Sequence, residues 1–168
     1  MKPLSQLIDH AFSQVEQYDL ITAHLSAIFS LESRIAKLPT ANAAISHWIA
    51  ACRQELESRT AQAPQKPTDY RRAAKLSCDC SDCTALSRFL ADSHQSQPRF
   101  PLAKARRRHL HQIIDGNRCD LTHVTERRGS PYTLVCTKTT ASYEAACKIY
   151  ERDLHNLSRI IALENKAS

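Results

Sequence analysis

The sequence predicts an α+β protein, mostly helical, in which an N-terminal helical bundle precedes a zinc-stabilised module with a β-hairpin and a long C-terminal helix. Three observations predict it. Apolar residues recur at helical spacing over most of the 168 residues, and only two glycines, Gly116 and Gly129, offer sites for tight backbone turns. One stretch rich in Thr and Val breaks at Gly129-Ser130-Pro131 and reads as a hairpin from about 120 to 138. Cys78, Cys80 and Cys83 place three thiols within six residues.

The helical elements follow from the spacing. Pro3 suits the first turn of a helix whose apolar face is Leu4, Leu7, Ile8, Ala11, Phe12 and Val15. A second helix fits residues 19–38, where Ile21, His24, Ile28, Leu31, Ile35 and Leu38 follow the alternating 3,4 spacing of a bundle seam. Pro39 ends it, because proline disfavours helical geometry in the residue before it. Thr40 caps a third helix to about Arg59, with Ile45, Trp48, Ile49, Cys52 and Leu56 inward. Three helices with short joints make a small antiparallel bundle over residues 1–60. The polar stretch 61–69 carries two prolines and reads as a linker to a module spanning 70–168. In that module one helix follows the cysteines, with Leu86, Phe89 and Leu90 inward. A second covers 102–114, with Leu110, Ile113 and Ile114 buried. The last helix, 141–163, has a stripe running from Tyr143 through Cys147, Tyr150, Leu154 and Leu157 to Ile160 and Ile161.

Composition narrows the function classes. No apolar run is long enough to span a bilayer, and the N-terminus MKPLSQLIDHAF lacks the continuous apolar core of a signal peptide. The expected location is therefore intracellular, nuclear or cytoplasmic, and the seven cysteines are expected to be thiols or metal ligands rather than disulfides. Charge is unevenly spread. Residues 1–69 carry a net −1, and residues 70–168 a net +7.

The cysteine cluster points to one structural zinc ion per chain. A tetrahedral zinc site takes four soft or borderline ligands, and a short loop can supply three sulfurs if it turns sharply around the ion. The spacers Asp79, Ser81 and Asp82 suit such a loop, since their side chains hydrogen-bond nearby backbone. Thiolates clustered without a cation repel one another. Arg71, Arg72 and Lys75 upstream are candidates to offset the −1 charge of a three-thiolate, one-histidine centre. The fourth ligand is expected from His109, with His111 as the alternate, a fourth thiolate from Cys119 after that, and His123 next. Helical residues two apart point to different sides, so only one of His109 and His111 should reach the ion. Cys52, Cys136 and Cys147 fall on apolar faces and read as small core residues. A redox pair at Cys80 and Cys83 is the rival reading, but no βαβ unit is visible to carry it. A filled four-ligand shell also leaves no position for a catalytic water.

Residues from about 76 to 150 resemble a region of fungal proteins, some of them described as 2-oxoglutarate/iron-dependent oxygenases of the prolyl-hydroxylase type. The resemblance rests on CDCSDC, the helix at 86–90, the run RRRHLH, and THVTERRGSPYTLVCTKT. It implies that Cys78, Cys80, Cys83 and His109 belong to one unit with the hairpin. It does not imply oxygenase activity: such enzymes hold iron through two histidines and a carboxylate, beginning with His-x-Asp or His-x-Glu. None of the eight histidines here is followed two residues later by Asp or Glu.

The remaining constellations are basic. Lys104, Arg106, Arg107 and Arg108 beside the proposed ligand, with Arg127 and Arg128, are the candidate contacts to the phosphates of a nucleic acid. Most Phe and Tyr residues fall at expected core positions, which argues against stacking of single-stranded bases. Trp48 reads as core, and His24 as a buried or rim residue of the seam. Two glycines cannot form a nucleotide-binding loop, and Ser130 lies in no nucleophile elbow. The expectation is a monomeric, non-enzymatic, zinc-binding module that engages nucleic acid. The alternative is a protein–protein interaction module, or a regulatory or accessory domain of a larger enzyme system.

Overall fold

The computed structural model describes residues 4–14, 16–35 and 43–167. They form helices α1 (Leu4–Ser13), α2 (Ser26–Ser30), α3 (Glu32–Ile35), α4 (Ala43–Thr60), α5 (Ser81–Ala91), α6 (Lys104–Gly116) and α7 (Ala141–Ala167), a π-helical turn (Leu20–Leu25), and strands β1 (Arg99–Pro101), β2 (Leu121–Glu126) and β3 (Thr133–Lys138). The fold is α+β and mostly helical, as expected. No described helix is long and apolar enough to cross a membrane.

The chain divides into two compact units, Met1–Pro64 with Cys147–Ser168, and Gln65–Ala146. The first cut falls inside the stretch read as a linker. The second falls inside α7, a helix that the sequence assigns wholly to the C-terminal module. The physical reason is in its stripe: Ile160 and Leu163 are fully buried with Leu25, Ile28, Cys52 and Leu56 of the helical unit. Arg53 reinforces this with a 2.9 Å hydrogen bond from Nη1 to Glu164 Oε2.

Within the helical unit, the expected single helix over 19–38 is broken into pieces. Asp19 caps it, its carboxylate accepting from the Ile21 and Thr22 backbone N–H groups at 3.0 and 2.8 Å. The next turn is π-helical, with His24 N–H bonded to Asp19 O. The extra residue adds Leu20 and Leu25 to the inward face beside His24 and Ile28, while Ile21 and Leu31 still pack against the same core. Leu31, with ψ near 0°, separates α2 from α3. His24 is buried as a core residue: Trp48 Nε1 donates to its Nδ1 at 3.0 Å, and Phe12 stacks on its ring. The stop at Pro39, the cap at Thr40, and Pro3, Val15 and Leu38 lie outside the described residues.

The second unit is built on a three-stranded antiparallel sheet in the order β1-β3-β2. The hairpin β2–β3 pairs His123 with Cys136 and Val124 with Val135, and Gly129 takes a positive φ of 74° in its loop. Strand β1 escapes sequence reading because it is three residues long and ends on a proline, which suits only an edge. β3 is central and its Leu134, Val135 and Cys136 are buried. Leu134 and Cys136 pack with Cys83, Leu86, Leu90 and Leu110 of α5 and α6. Two buried cations stitch the loops to this core. Arg72 donates to the carbonyls of Asp69, Arg71 and Thr139. Lys138 Nζ donates to Asp92 O at the C-terminus of α5 and lies 4.2 Å from the Phe89 ring centroid. Asp120 accepts from the Ser142 N–H and hydroxyl and so caps the start of α7.

The packing sets a direct contrast. Leu134→Ala should destabilise the protein by about 2–5 kcal/mol in urea unfolding, since a fully buried side chain leaves a cavity. Val124→Ala, on the 60% exposed neighbour in the same sheet, should stay within about 0.5 kcal/mol.

Candidate metal centre

Local structure brings the three thiols to one end of α5. Cys80 is the residue just before the helix, in extended geometry with ψ 164°. Cys78 lies two residues earlier in the loop, and Cys83 sits in the first turn. The turn closes with Thr84 N–H donating to Cys80 O at 2.8 Å. Cys83 points into the core and is fully buried, Cys78 is half-buried against the same cluster, and Cys80 is exposed. The chain reaches this point because Asn117, at the end of α6, donates to Ser77 Oγ at 3.3 Å and to Ile113 O at 2.7 Å.

Helix α6 supplies the fourth donor. His109 Nε2 lies 3.3 Å from Cys83 Sγ and 3.5 Å from Cys80 Sγ. The donor atoms of Cys78, Cys80, Cys83 and His109 all fall within 4.8 Å of one another, a group that can hold a metal ion. For tetrahedral zinc, bonds of about 2.3 Å to sulfur and 2.0–2.1 Å to nitrogen put sulfur and nitrogen about 3.5 Å apart. The two separations match that spacing. A second link holds α5 to α6 beside the cluster: Arg106 clasps Asp82 with both ends of its guanidinium, Nε donating to Oδ2 at 2.8 Å. These hydrogen bonds hold the Asp82 carboxyl below the usual range.

The thiols are electrostatically unlike. The backbone N–H of Cys83, with help from neighbouring thiols and the Asp82 N–H, draws Cys80 down to about 7. Burial, together with the Cys80 and Cys78 thiols beside it, pushes Cys83 up to about 12. Cys80 is thus ready to ligate near neutrality, whereas Cys83 holds its proton until a cation displaces it.

The other sequence candidates go elsewhere. His111, two residues on, faces away from the cluster. Its Nδ1 meets His123 Nδ1, and its Nε2 lies 3.1 Å from Thr125 Oγ1. His123 in turn bonds Asp115 Oδ1 at 2.9 Å. Burial, with His123 beside it, holds His111 below its ordinary pKa. Cys119 packs against the core, and its thiol is pushed up by burial. Cys52 and Cys136 are fully buried and raised to about 12 by burial, and Cys147 is half-buried. Of the upstream cations, Arg72 is spent on carbonyls rather than on the cluster.

The basic residues divide as well. Arg106 is held by Asp82. Arg107 is buried, donates to Leu102 O and Tyr132 O, and lies 5.2 Å from the Tyr132 ring centroid. These two support the structure. Lys104, Arg108, Arg127 and Arg128 are exposed. Lys104, Arg108 and Arg127 border a depression of about 540 Å³ between α6 and the hairpin, together with Tyr132. Most Phe and Tyr residues are expected in the core, yet Tyr132 is 41% exposed. Its position after Gly-Ser-Pro, beside Arg127 and Arg128, is the signal that marks it as a surface residue.

No protein family, no curated protein and no solved structure matches this chain.

The geometry fixes how metal binding should respond to substitution and to pH. Cys80→Ser and Cys83→Ser should lose the metal, whereas Cys52→Ser should keep it. His109→Ala should weaken binding more than His111→Ala. Uptake at pH 7 should release at least one proton, that of Cys83, since its raised pKa keeps it protonated without metal. Affinity should therefore fall as pH is lowered, and more so below about 7, where Cys80 also becomes protonated. Titration calorimetry in buffers of different ionisation enthalpy reads the proton count.

Proposed function

We propose that residues 65–146 are a zinc-stabilised, non-catalytic module that engages nucleic acid through an exposed basic surface, in a monomeric protein working inside the cell. The observation that carries the zinc assignment is the convergence of three sulfurs and one imidazole nitrogen within 4.8 Å, two of the sulfurs lying 3.3 and 3.5 Å from that nitrogen. Three thiolates select zinc or another soft ion over magnesium or calcium, which take oxygen ligands. Four protein ligands complete a tetrahedral shell and leave no position for a substrate or an activated water, which favours a structural role over catalysis. The backbone N–H groups at the start of α5 suit the net −1 charge that three thiolates and a dication carry.

The nucleic-acid reading rests on charge and position. Lys104, Arg108, Arg127 and Arg128 stand exposed on α6 and the hairpin loop, in the half of the chain that holds the positive excess. Arginine forks fit phosphate oxygens, and such contacts release condensed counterions. Because His109 lies on α6 as well, an ion at the cluster would hold the helix that displays Lys104 and Arg108.

Two experiments test the two parts. Metal analysis of protein purified under reducing conditions should find one zinc per chain and no iron. Chelation should melt residues 65–146 far more than the helical unit, because structural zinc contributes about 10–16 kcal/mol of apparent folding free energy in small finger peptides. Unchanged melting after complete zinc removal would exclude the structural role. For the partner, the protein should be retained on DNA or RNA at about 50 mM salt, with affinity falling steeply as salt rises. Replacing Lys104, Arg108, Arg127 and Arg128 by Gln should flatten the salt slope by up to about 0.9 for each duplex phosphate that is no longer neutralised. With no retention on any nucleic acid, a protein partner becomes the leading case.

A further inference from the structure

We propose that the depression between α6 and the β2–β3 hairpin seats a single-stranded nucleic acid, one base lying on Tyr132 and the flanking phosphates on Lys104, Arg108 and Arg127. This rests on the nucleic-acid reading above and narrows it to a place and a strand type.

The depression, about 540 Å³, is of the size that takes a small ligand or one residue of a chain. Its charge is one-sided. Lys104, Arg107, Arg108 and Arg127 border it against one carboxylate, Asp115, whose Oδ1 is engaged by His123 Nε2 at 2.9 Å. Lys104 and Arg108 stand one turn apart on α6, about 6 Å along its axis, a separation comparable with that of successive phosphates on an extended strand. Arg127 approaches from the other side, in the loop after β2.

Tyr132 gives the depression its second character. An exposed tyrosine in a loop is ordinarily loose, but this one is anchored twice through its carbonyl. That oxygen accepts from the Leu102 backbone N–H and from Arg107 Nη1, each at 3.2 Å. The buried Arg107 guanidinium, 5.2 Å from the ring centroid, also holds the ring itself. A tyrosine so placed and still 41% exposed has its side-chain entropy already reduced and its apolar surface in water. Bases stack on such rings whatever their identity, because every base has a π-face. A duplex keeps its bases paired and stacked inside and offers Tyr132 no free face; a single strand does. Arg107 is thus a positioning residue, and Tyr132, Lys104, Arg108 and Arg127 are the contacts.

The test is fluorescence anisotropy with the full, metal-replete chain at about 50 mM salt. The probes are mixed-sequence single strands of about eight nucleotides in DNA and RNA, a duplex of equal length, and the same single strand with abasic positions. The expected result is tighter binding of single strand than of duplex or abasic strand. Tyr132→Ala should weaken the single strand by about 5- to 100-fold and leave the duplex unchanged, whereas Tyr132→Phe should retain binding. Lys104→Gln with Arg108→Gln should lower affinity for every probe and flatten the single-strand salt slope by about 1.4. The proposal is overturned, with the broader reading intact, if duplex binds as tightly as single strand while these cation substitutions still weaken both. It is equally overturned if the abasic strand binds wild-type protein as well as the intact one, a result that does not depend on how Tyr132→Ala folds. No binding to any probe removes both readings.

Discussion

The proposed zinc-stabilised module turns on one constraint: three sulfurs and one imidazole nitrogen lie within 4.8 Å of one another at the start of α5. Without a cation this is an unfavourable arrangement. Cys80 is pulled toward thiolate by the N–H groups of a helix N-terminus, while burial and its neighbours keep Cys83 protonated. A divalent soft ion would reconcile the two, because it would compensate the charge that burial penalises. The surrounding contacts are arranged to hold the point in place. Asn117 ties the approaching loop to α6, Asp82 and Arg106 clasp α5 to α6, and Cys83 itself is part of the apolar core with Leu86 and Leu110.

The same helix serves two faces. Leu110, Ile113 and Ile114 bury one side of α6 against α5 and the sheet, and His109 reaches the cysteines. Lys104, Arg108 and Gln112 border the depression beside the hairpin. This thirteen-residue helix takes its orientation from the buried Leu110, Ile113 and Ile114, and the same orientation sets His109 beside Cys80 and Cys83. Arg107 connects the two sides: it lies buried between the Leu102 and Tyr132 carbonyls and fixes the hairpin loop relative to α6.

Much of this was legible in the sequence, for local reasons. Helical periodicity located α1, α4, α5, α6 and α7, and the Thr/Val stretch around Gly129 located the hairpin, because each signal is contained within its own element. Three cysteines within six residues marked the Cys/His group that can hold a metal ion, and the rule that helical residues two apart diverge separated His109 from His111. What was not legible depends on partners distant in the chain. The pairing of Arg106 with Asp82, 24 residues away, and the burial of Arg107 give both arginines partners within the unit. β1 exists only because β3 offers it an edge. The π-helical turn at Leu20–Leu25 brought Leu20 and Leu25 into the core beside the expected seam, an addition that a regular 3,4 pattern cannot anticipate. The far half of α7 joined the helical unit because Ile160 and Leu163 found their core there.

The most direct measurement of the central claim is X-ray absorption at the zinc edge, on protein purified under reducing conditions with no metal added. The expected result is a zinc signal whose first shell holds three sulfurs at about 2.3 Å and one nitrogen at about 2.0–2.1 Å. Cys83→Ser should lose that signal. A shell of oxygen and nitrogen only, or a wild-type protein that is folded and carries no metal with all three thiols reduced, would contradict it.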